Sequence, residues 1–218
     1  MAGQITALLR QKRNSERVNV YLDNEYAFSL PAIEAVKLRR EQHLSDQEVA
    51  ALKTLDLRAK AYDQAVRFLA IRPRSVWEVR QKLERYRSRQ KESLAEAHID
   101  WVTDKLLEQG YLNDEEFARF WVEQRNQFKP LAPRALRYEL LRKGIADPTI
   151  EGVLDGAVDA EAAALQAARG QARRIRTGDK EIFQKKMAAF LQRRGFSWAI
   201  VRNVLDELWQ EMLDENNV

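Results

Sequence analysis

The chain opens with two short runs in which apolar and polar residues alternate. Val18, Val20 and Leu22 form one, Tyr26, Phe28 and Leu30 the other, and Asp23-Asn24-Glu25 lies between them. Alternation puts every second side chain on one face of a strand, and a turn-forming Asp-Asn joins two such strands into a hairpin. Ile5 to Leu9 predicts a third strand, which supplies an apolar face that a bare hairpin lacks. A short helix from Pro31 to about Leu38 is expected to cover that face.

From about residue 45 the period becomes helical. Helix starts are marked by a short polar residue with Glu three positions on: Ser45/Glu48, Ser75/Glu78, Ser93/Glu96 and Asn113/Glu116. The first side chain can accept a free backbone N–H, and the Glu reaches back and favours the positive helix end. Asp147-Pro148 and Ser197 mark two more starts. Tyr62, Ala65, Val66 and Leu69 form one apolar stripe, and Phe117, Phe120 and Trp121 another. The stripe Ile99, Val102, Thr103, Leu106 returns 51 residues later as Ile150, Val153, Leu154, Ala157, and 51 further on as Val201, Val204, Leu205, Leu208. Upstream of it, Leu140-Leu-Arg-Lys-Gly144-Ile145 matches Leu191-Gln-Arg-Arg-Gly195-Phe196 at the same offset, with Leu83-Glu-Arg-Tyr86 in that place in the first copy. Gly144 and Gly195 are placed to end a helix in the left-handed conformation. A polar insertion from Arg87 to Lys91 sets the first copy apart.

These periods predict a mainly all-α protein: a tandem array of three three-helix repeats preceded by a small β-hairpin-containing N-terminal extension. The expected divisions are 1–56 for the extension with its short helix, 57–111 for repeat 1, 112–157 for repeat 2, and 158–218 for repeat 3 with an acidic tail. Three helices of this length make a marginal core, so neighbouring repeats are expected to pack on one another.

Composition narrows the chemistry. The 218 residues include no Cys and two His, His43 and His98. Disulfides, thiolate metal sites and Cys nucleophiles are excluded. The two imidazoles sit beside a charged turn and an apolar stripe, and read as ordinary histidines rather than ligands. No phosphate loop, nucleophile elbow or metalloprotease motif occurs. No catalytic residue, metal ligand or cofactor is expected, and a hidden carboxylate pair would be the enzyme alternative. No apolar run is long enough to span a membrane, and the N-terminus has no secretory signal, so a cytoplasmic location is expected. Trp77, Trp101, Trp121 and Trp209 fall on or beside apolar stripes and read as core anchors, with Trp198, just past a helix start, standing apart.

The net charge is only +4, but its signs segregate. Arg72 to Lys91 holds eight Lys/Arg, Arg169 to Arg194 holds nine, and the middle unit adds Arg134, Arg137, Arg142 and Lys143. From Asp206 onward there are five acids and no base. A basic cluster thus recurs near the second helix of each repeat. That is a pattern for phosphates or an acidic protein groove, against the plainer reading of a solvated face.

Four segments carry a family resemblance: Ala65–Leu83 (AVRFLAIRPRSVWEVRQKL), Gly110–Arg119 (GYLNDEEFAR), Glu139–Ile145 (ELLRKGI) and Phe190–Ser197 (FLQRRGFS). In this order they resemble the RecX family of bacterial regulatory proteins, which modulate the recombinase RecA. The segment after Gln127, Phe-Lys-Pro-Leu-Ala-Pro, departs from the Gly-containing turn usual there. The resemblance implies a non-enzymatic regulator that binds RecA and its filament on single-stranded DNA. It would inhibit recombinase, ATPase and coprotease activities, with auxiliary affinity for single-stranded and double-stranded DNA. A monomer without membrane contact is expected. The expected contact residues are Arg72, Arg74, Arg80, Lys82 and Arg85 in repeat 1, Arg134, Arg137, Arg142 and Lys143 in repeat 2, and Arg193, Arg194 and Arg202 in repeat 3. Arg80, Arg137 and Arg202 could instead be structural ion-pair partners. The competing function is a stand-alone helical DNA-binding transcription regulator, for which one helix should gather base-reading side chains.

Overall fold

The computed structural model describes residues 2–86, 93–156, 158–175, 177 and 179–216. The expected insertion at 87–91, Ala157 of the second stripe and Arg176 lie outside these residues. The extension is an antiparallel sheet of β1 (Gly3–Gln11), β2 (Asn14–Leu22), β3 (Glu25–Pro31) and β4 (His43–Leu44), in the order β3-β2-β1-β4. Asp23 and Asn24 both take positive φ, 49° and 70°, which closes the β2–β3 hairpin with the twist that antiparallel strands prefer. The register pairs Val18 with Leu30 and Val20 with Phe28, so the apolar sets of the two strands share one face. The expected covering helix shrinks to one turn, α1 (Ala32–Ala35), whose Ile33 is 76% exposed. The face is covered mainly by the start of α2 (Asp46–Leu69), where Val49, Leu52 and Leu55 join Ile5, Val20, Phe28, Leu30 and Leu44.

Nine further helices follow α1 among the described residues: α2, then α3 (Val76–Glu84), α4 (Glu96–Glu108), α5 (Asp114–Phe128), α6 (Pro133–Leu141), α7 (Asp147–Leu154), α8 (Ala160–Ala172), α9 (Lys180–Arg193) and α10 (Trp198–Asn216). From α2 onward they fall into three three-helix repeats, and the expected boundary at 56/57 lies inside the continuous α2. Ser45 and Glu48 form a reciprocal capping box on α2. Asn113 Oδ1 accepts the N–H groups of Glu115 and Glu116 to start α5. Ser93 is not a cap: α4 starts from Ala95 without a side-chain bond. Asp159 and Asp179 cap α8 and α9 although no Glu follows at the third position.

The recurring stripe is buried in all three copies, except Ala157, which is not described, and Leu154, which is partly buried. Two stripes shift. On α2 the fully buried row is Ala61 and Ala65 rather than Tyr62, Val66 and Leu69, and on α5 it is Phe117, Ala118 and Val122. Trp77 and Trp101 are 45% and 39% exposed, so they do not anchor a core. Each lies off the buried row of its helix, and 100° per residue turns it outward.

The chain divides into two compact units. The first comprises Met1–Arg72 and Val79–Tyr111, the second Pro73–Glu78 and Leu112–Val218. In the first, Arg58 Nε donates to His98 Nδ1 at 3.3 Å, and its guanidinium lies 5.3 Å from the centre of the Trp101 ring. Burial, and secondarily the Arg58 charge, hold the His98 imidazole below its ordinary value near 6.5. The unfolded chain then binds the proton first as pH falls, so this contribution to stability is present above about 6.5 and is lost as pH drops through the lower folded value. Thermal unfolding followed by circular dichroism should show wild type losing more Tm between pH 7 and pH 5 than His98→Asn. Equal losses would remove His98 as a source of acid sensitivity.

In the second unit one junction is built twice. The Ser75 hydroxyl donates to the Lys143 carbonyl at 2.7 Å, and a Cβ placed on Gly144 would meet the Trp77 side chain. Likewise the Ala132 amide donates to the Arg194 carbonyl at 3.1 Å, and a Cβ on Gly195 would lie 3.0 Å from Ala135 Cβ. Both glycines are left-handed, with φ of +77° and +88°. The first turn of α3 thus seats on the turn that ends α6, and the first turn of α6 on the turn that ends α9. The donor between Gln127 and Pro133 is therefore backbone, in the segment where the sequence departs from a glycine turn.

Candidate partner and nucleic-acid interface

The recurring basic residues divide into those tied to their own unit and those left to solvent. In the first unit, Arg80 pairs with Asp100 at 2.6 Å and Glu96 at 2.8 Å. In the second, Arg137 holds Asp147 at 2.7 Å and Glu151 at 3.3 Å. These are equivalent positions, because Val79/Leu83 and Leu136/Leu140 are the buried rows of α3 and α6. In both repeats the second helix is fastened to the third by one Arg and two acids. Repeat 3 lacks the fastening: Ala188 takes the Arg position at the 51-residue offset, and Arg202 stands where Glu151 stood. Arg202 is consequently exposed with no described ion pair.

Lys143 is likewise engaged. Its ammonium pairs with Glu78 at 2.5 Å and lies 4.7 Å from the Trp121 ring centre, and Arg125 sits 4.6 Å from the same ring. Trp121 Nε1 and Arg125 Nε both donate to Glu139. Arg194 donates to the Pro130 carbonyl at 2.8 Å and stacks 4.5 Å over Phe190, and burial pulls its guanidinium below the ordinary Arg value. Lys82 is half-buried, 5.7 Å from the Phe68 ring centre. Arg72 and Arg74 are half-buried in the turn before α3. Arg85, Arg134, Arg142, Arg193 and Arg202 remain exposed, with Arg142 resting 5.8 Å over the Tyr138 ring.

The structure gathers Arg193 into a site that its sequence position alone does not reveal. A hollow of about 550 Å³ between α8 and α9 is lined by Arg174, Lys186, Ala189, Phe190, Arg193 and Gln171. Lys186, Phe190 and Arg193 follow helical spacing on α9, and Arg174 comes from the turn after α8. A second hollow of about 240 Å³ shares Gln171, Arg174 and Phe190 and extends to Phe128, whose ring is 71% exposed. Three cations about a partly apolar groove suit a negatively charged partner with an apolar component. Arg174 and Lys186 belong to the basic clusters visible in the sequence. Helical spacing sets Lys186 on the same face of α9 as Arg193, and the packing of α8 on α9 adds Arg174. Among the described residues no group of three or more His, Asp or Glu side chains converges as a metal site. No helix there is long and apolar enough to cross a membrane.

Comparison with known proteins matches this architecture segment by segment. The RecX N-terminal domain matches residues 3–42. The first, second and third three-helix domains of RecX match 61–87, 113–154 and 159–205. Regulatory protein RecX of Bacillus velezensis is 33% identical over 97% of this chain and 80% of its own length. That of Bacillus pumilus is 34% identical with the same two coverages. A crystal structure of a regulatory protein RecX shares the fold at a TM-score of 0.70 and 24% identity, covering 94% of this chain and 99% of that one. RecX from Lactobacillus salivarius reaches a TM-score of 0.56 at 25% identity, covering 70% and 97%. With the sheet, three helical repeats and near end-to-end likeness in place, the chain belongs to the RecX family of regulatory proteins.

Proposed function

We propose that this chain is a regulator of RecA: it binds RecA and its filament on single-stranded DNA and restrains recombinase, ATPase and coprotease activities, with auxiliary affinity for DNA. The observation that carries this reading is the likeness to regulatory RecX proteins over 97% of the chain. The repeated helical units support it, because a filament is itself a repeat, and several weak contacts on linked modules gain from high effective concentration. A ligand that binds one filament state better than another shifts the population toward it. The chain acts as a cytoplasmic monomer in this reading, and needs no cofactor.

The contact residues are the solvent-facing members of the basic set: Arg85, Arg134, Arg142, Arg193 and Arg202, joined by Arg174 and Lys186. Arg80, Arg137, Lys143 and Arg194 act mainly by holding helices in place. Arg72, Arg74 and Lys82 stay with the contact set in repeat 1.

RecA's DNA-dependent ATPase, titrated with the full chain, should fall. The triple reversal Arg174→Glu, Lys186→Glu and Arg193→Glu should raise the half-inhibiting concentration by about tenfold or more near physiological salt, equivalent to about 1.4 kcal/mol. Failure of the wild-type chain to alter ATPase, strand exchange or filament length would refute the reading. Inhibition unchanged by the triple reversal would remove the α8–α9 groove from it.

A further inference from the structure

We infer that the first unit carries a binding site for an unpaired nucleotide segment, in a basic hollow between the β2–β3 sheet face and α2. The inference deepens the DNA-affinity part of the proposed function and rests on it. The hollow encloses about 480 Å³, the scale of a small-ligand pocket. That suits a nucleotide out of the helical stack rather than a duplex.

Four bases line it: Arg13 from the β1–β2 turn, Arg17 from β2, and Lys60 and Arg67 from α2. Asp63 is the acid lining it. Arg17 and Lys60 already share Asp56. Arg13 and Arg67 are exposed, and no acid among the described residues pairs with either. Two exposed cations from separate parts of the chain, lining one recess, suit a chain of phosphates.

The rest of the lining distinguishes nucleic acid from an acidic peptide. Tyr26 and Tyr86 both border the hollow. Tyr26 is 53% exposed, and its ring and that of Tyr21 meet edge to face at 6.0 Å and 78°, which orients the ring while leaving about half of the residue in solvent. An exposed, oriented aromatic ring beside cations is the arrangement that stacks a base. The side-chain amides of Gln11, Asn14 and Gln64 add donors and acceptors suited to base edges.

The test is fluorescence anisotropy of a labelled oligo-dT with the full-length chain, without RecA. Arg13→Glu with Arg67→Glu should weaken binding by roughly tenfold or more and reduce the salt slope by about two. Tyr26→Ala should weaken it about fivefold or more. All three side chains are exposed, and circular dichroism should be unchanged. An oligonucleotide carrying 5-iododeoxyuridine should crosslink under light to peptides containing Tyr26 or Tyr86. Three outcomes would overturn the site: no binding of oligo-dT, affinity unmoved by the Arg13/Arg67 pair, or crosslinks confined to α8 and α9. Equal displacement by dTMP or by poly-glutamate would also overturn it, in favour of a free nucleotide or an acidic polypeptide. None of these results touches RecA inhibition, which the ATPase titration reads separately.

Discussion

Replacing Asp56 by Ala should cost the first unit about 3–5 kcal/mol, because it leaves a buried charge without its counterpart. The Arg17 and Asp56 side chains are 10% and 9% exposed and bonded to each other. Arg17 also donates to Ser29 Oγ at 3.0 Å, so one guanidinium joins β2, β3 and α2. Without the carboxylate, Arg17 keeps only a hydroxyl, and Lys60, which pairs with Asp56 at 2.5 Å, becomes an unbalanced like charge beside it. Lys60→Ala should cost no more than about 1 kcal/mol, since its side chain is 38% exposed and its pair is solvent-screened. The double change Arg17→Met with Asp56→Leu should recover most of the loss, as apolar replacements of buried ion pairs often do. Urea unfolding, with amide exchange in β2 and β3 to localise the effect, measures all three. A loss below about 1 kcal/mol for Asp56→Ala would mean that the pair is hydrated and does not fasten the sheet to α2.

The second large effect is expected at Gly144. Its φ of +77° costs an L side chain about 1–2 kcal/mol. A new Cβ there also falls against Trp77 Cβ and 2.8 Å from Cγ, adding an overpacking cost of about 1–3 kcal/mol. Gly144→Ala should therefore destabilise the second unit by about 2–5 kcal/mol. Trimming the indole with Trp77→Ala should rescue it only in part, because the Cγ contact goes while the closer one, with the Cβ, stays. Gly110→Ala isolates the backbone share: its φ is +72° but nothing lies within 4 Å, so it should cost only about 1–2 kcal/mol. Denaturant unfolding of the two variants decides the point. Equal losses would show that the Trp77 contact yields without cost.

Much of the fold was legible because it depends on local period. The buried stripes at the 51-residue offset, the left-handed Gly144 and Gly195 and the caps at Ser45 and Asn113 all follow from nearest-neighbour chemistry. Ser93 misled for a physical reason. Ser-x-x-Glu offers a cap, but Leu94 is buried at 7% exposure, and the chain enters the helix only after placing it. Trp77 and Trp101 misled because hydrophobicity marks a residue as suited to a core without saying on which side of the helix it stands.

The binding face was legible only as composition. Arg80 and Arg137 stand in the sequence as contact residues or ion-pair partners alike, because their acids lie 10 to 20 positions away, beyond the reach of helical spacing. Conversely, Arg174 joins Lys186 and Arg193, which share a face of α9 by spacing, only once α8 lies along α9. The sign of a charge is local information, whereas its availability is decided by tertiary packing.

The twice-built junction has a further consequence. Its acceptor is a main-chain carbonyl, its socket a missing side chain, and its donor a hydroxyl in one case and an amide in the other. Such a lock does not inspect the identity of most residues around it. Copies of a duplicated segment attached this way are free to drift apart in their surface chemistry, one keeping an arginine clasp and another discarding it, without losing their seat on the next.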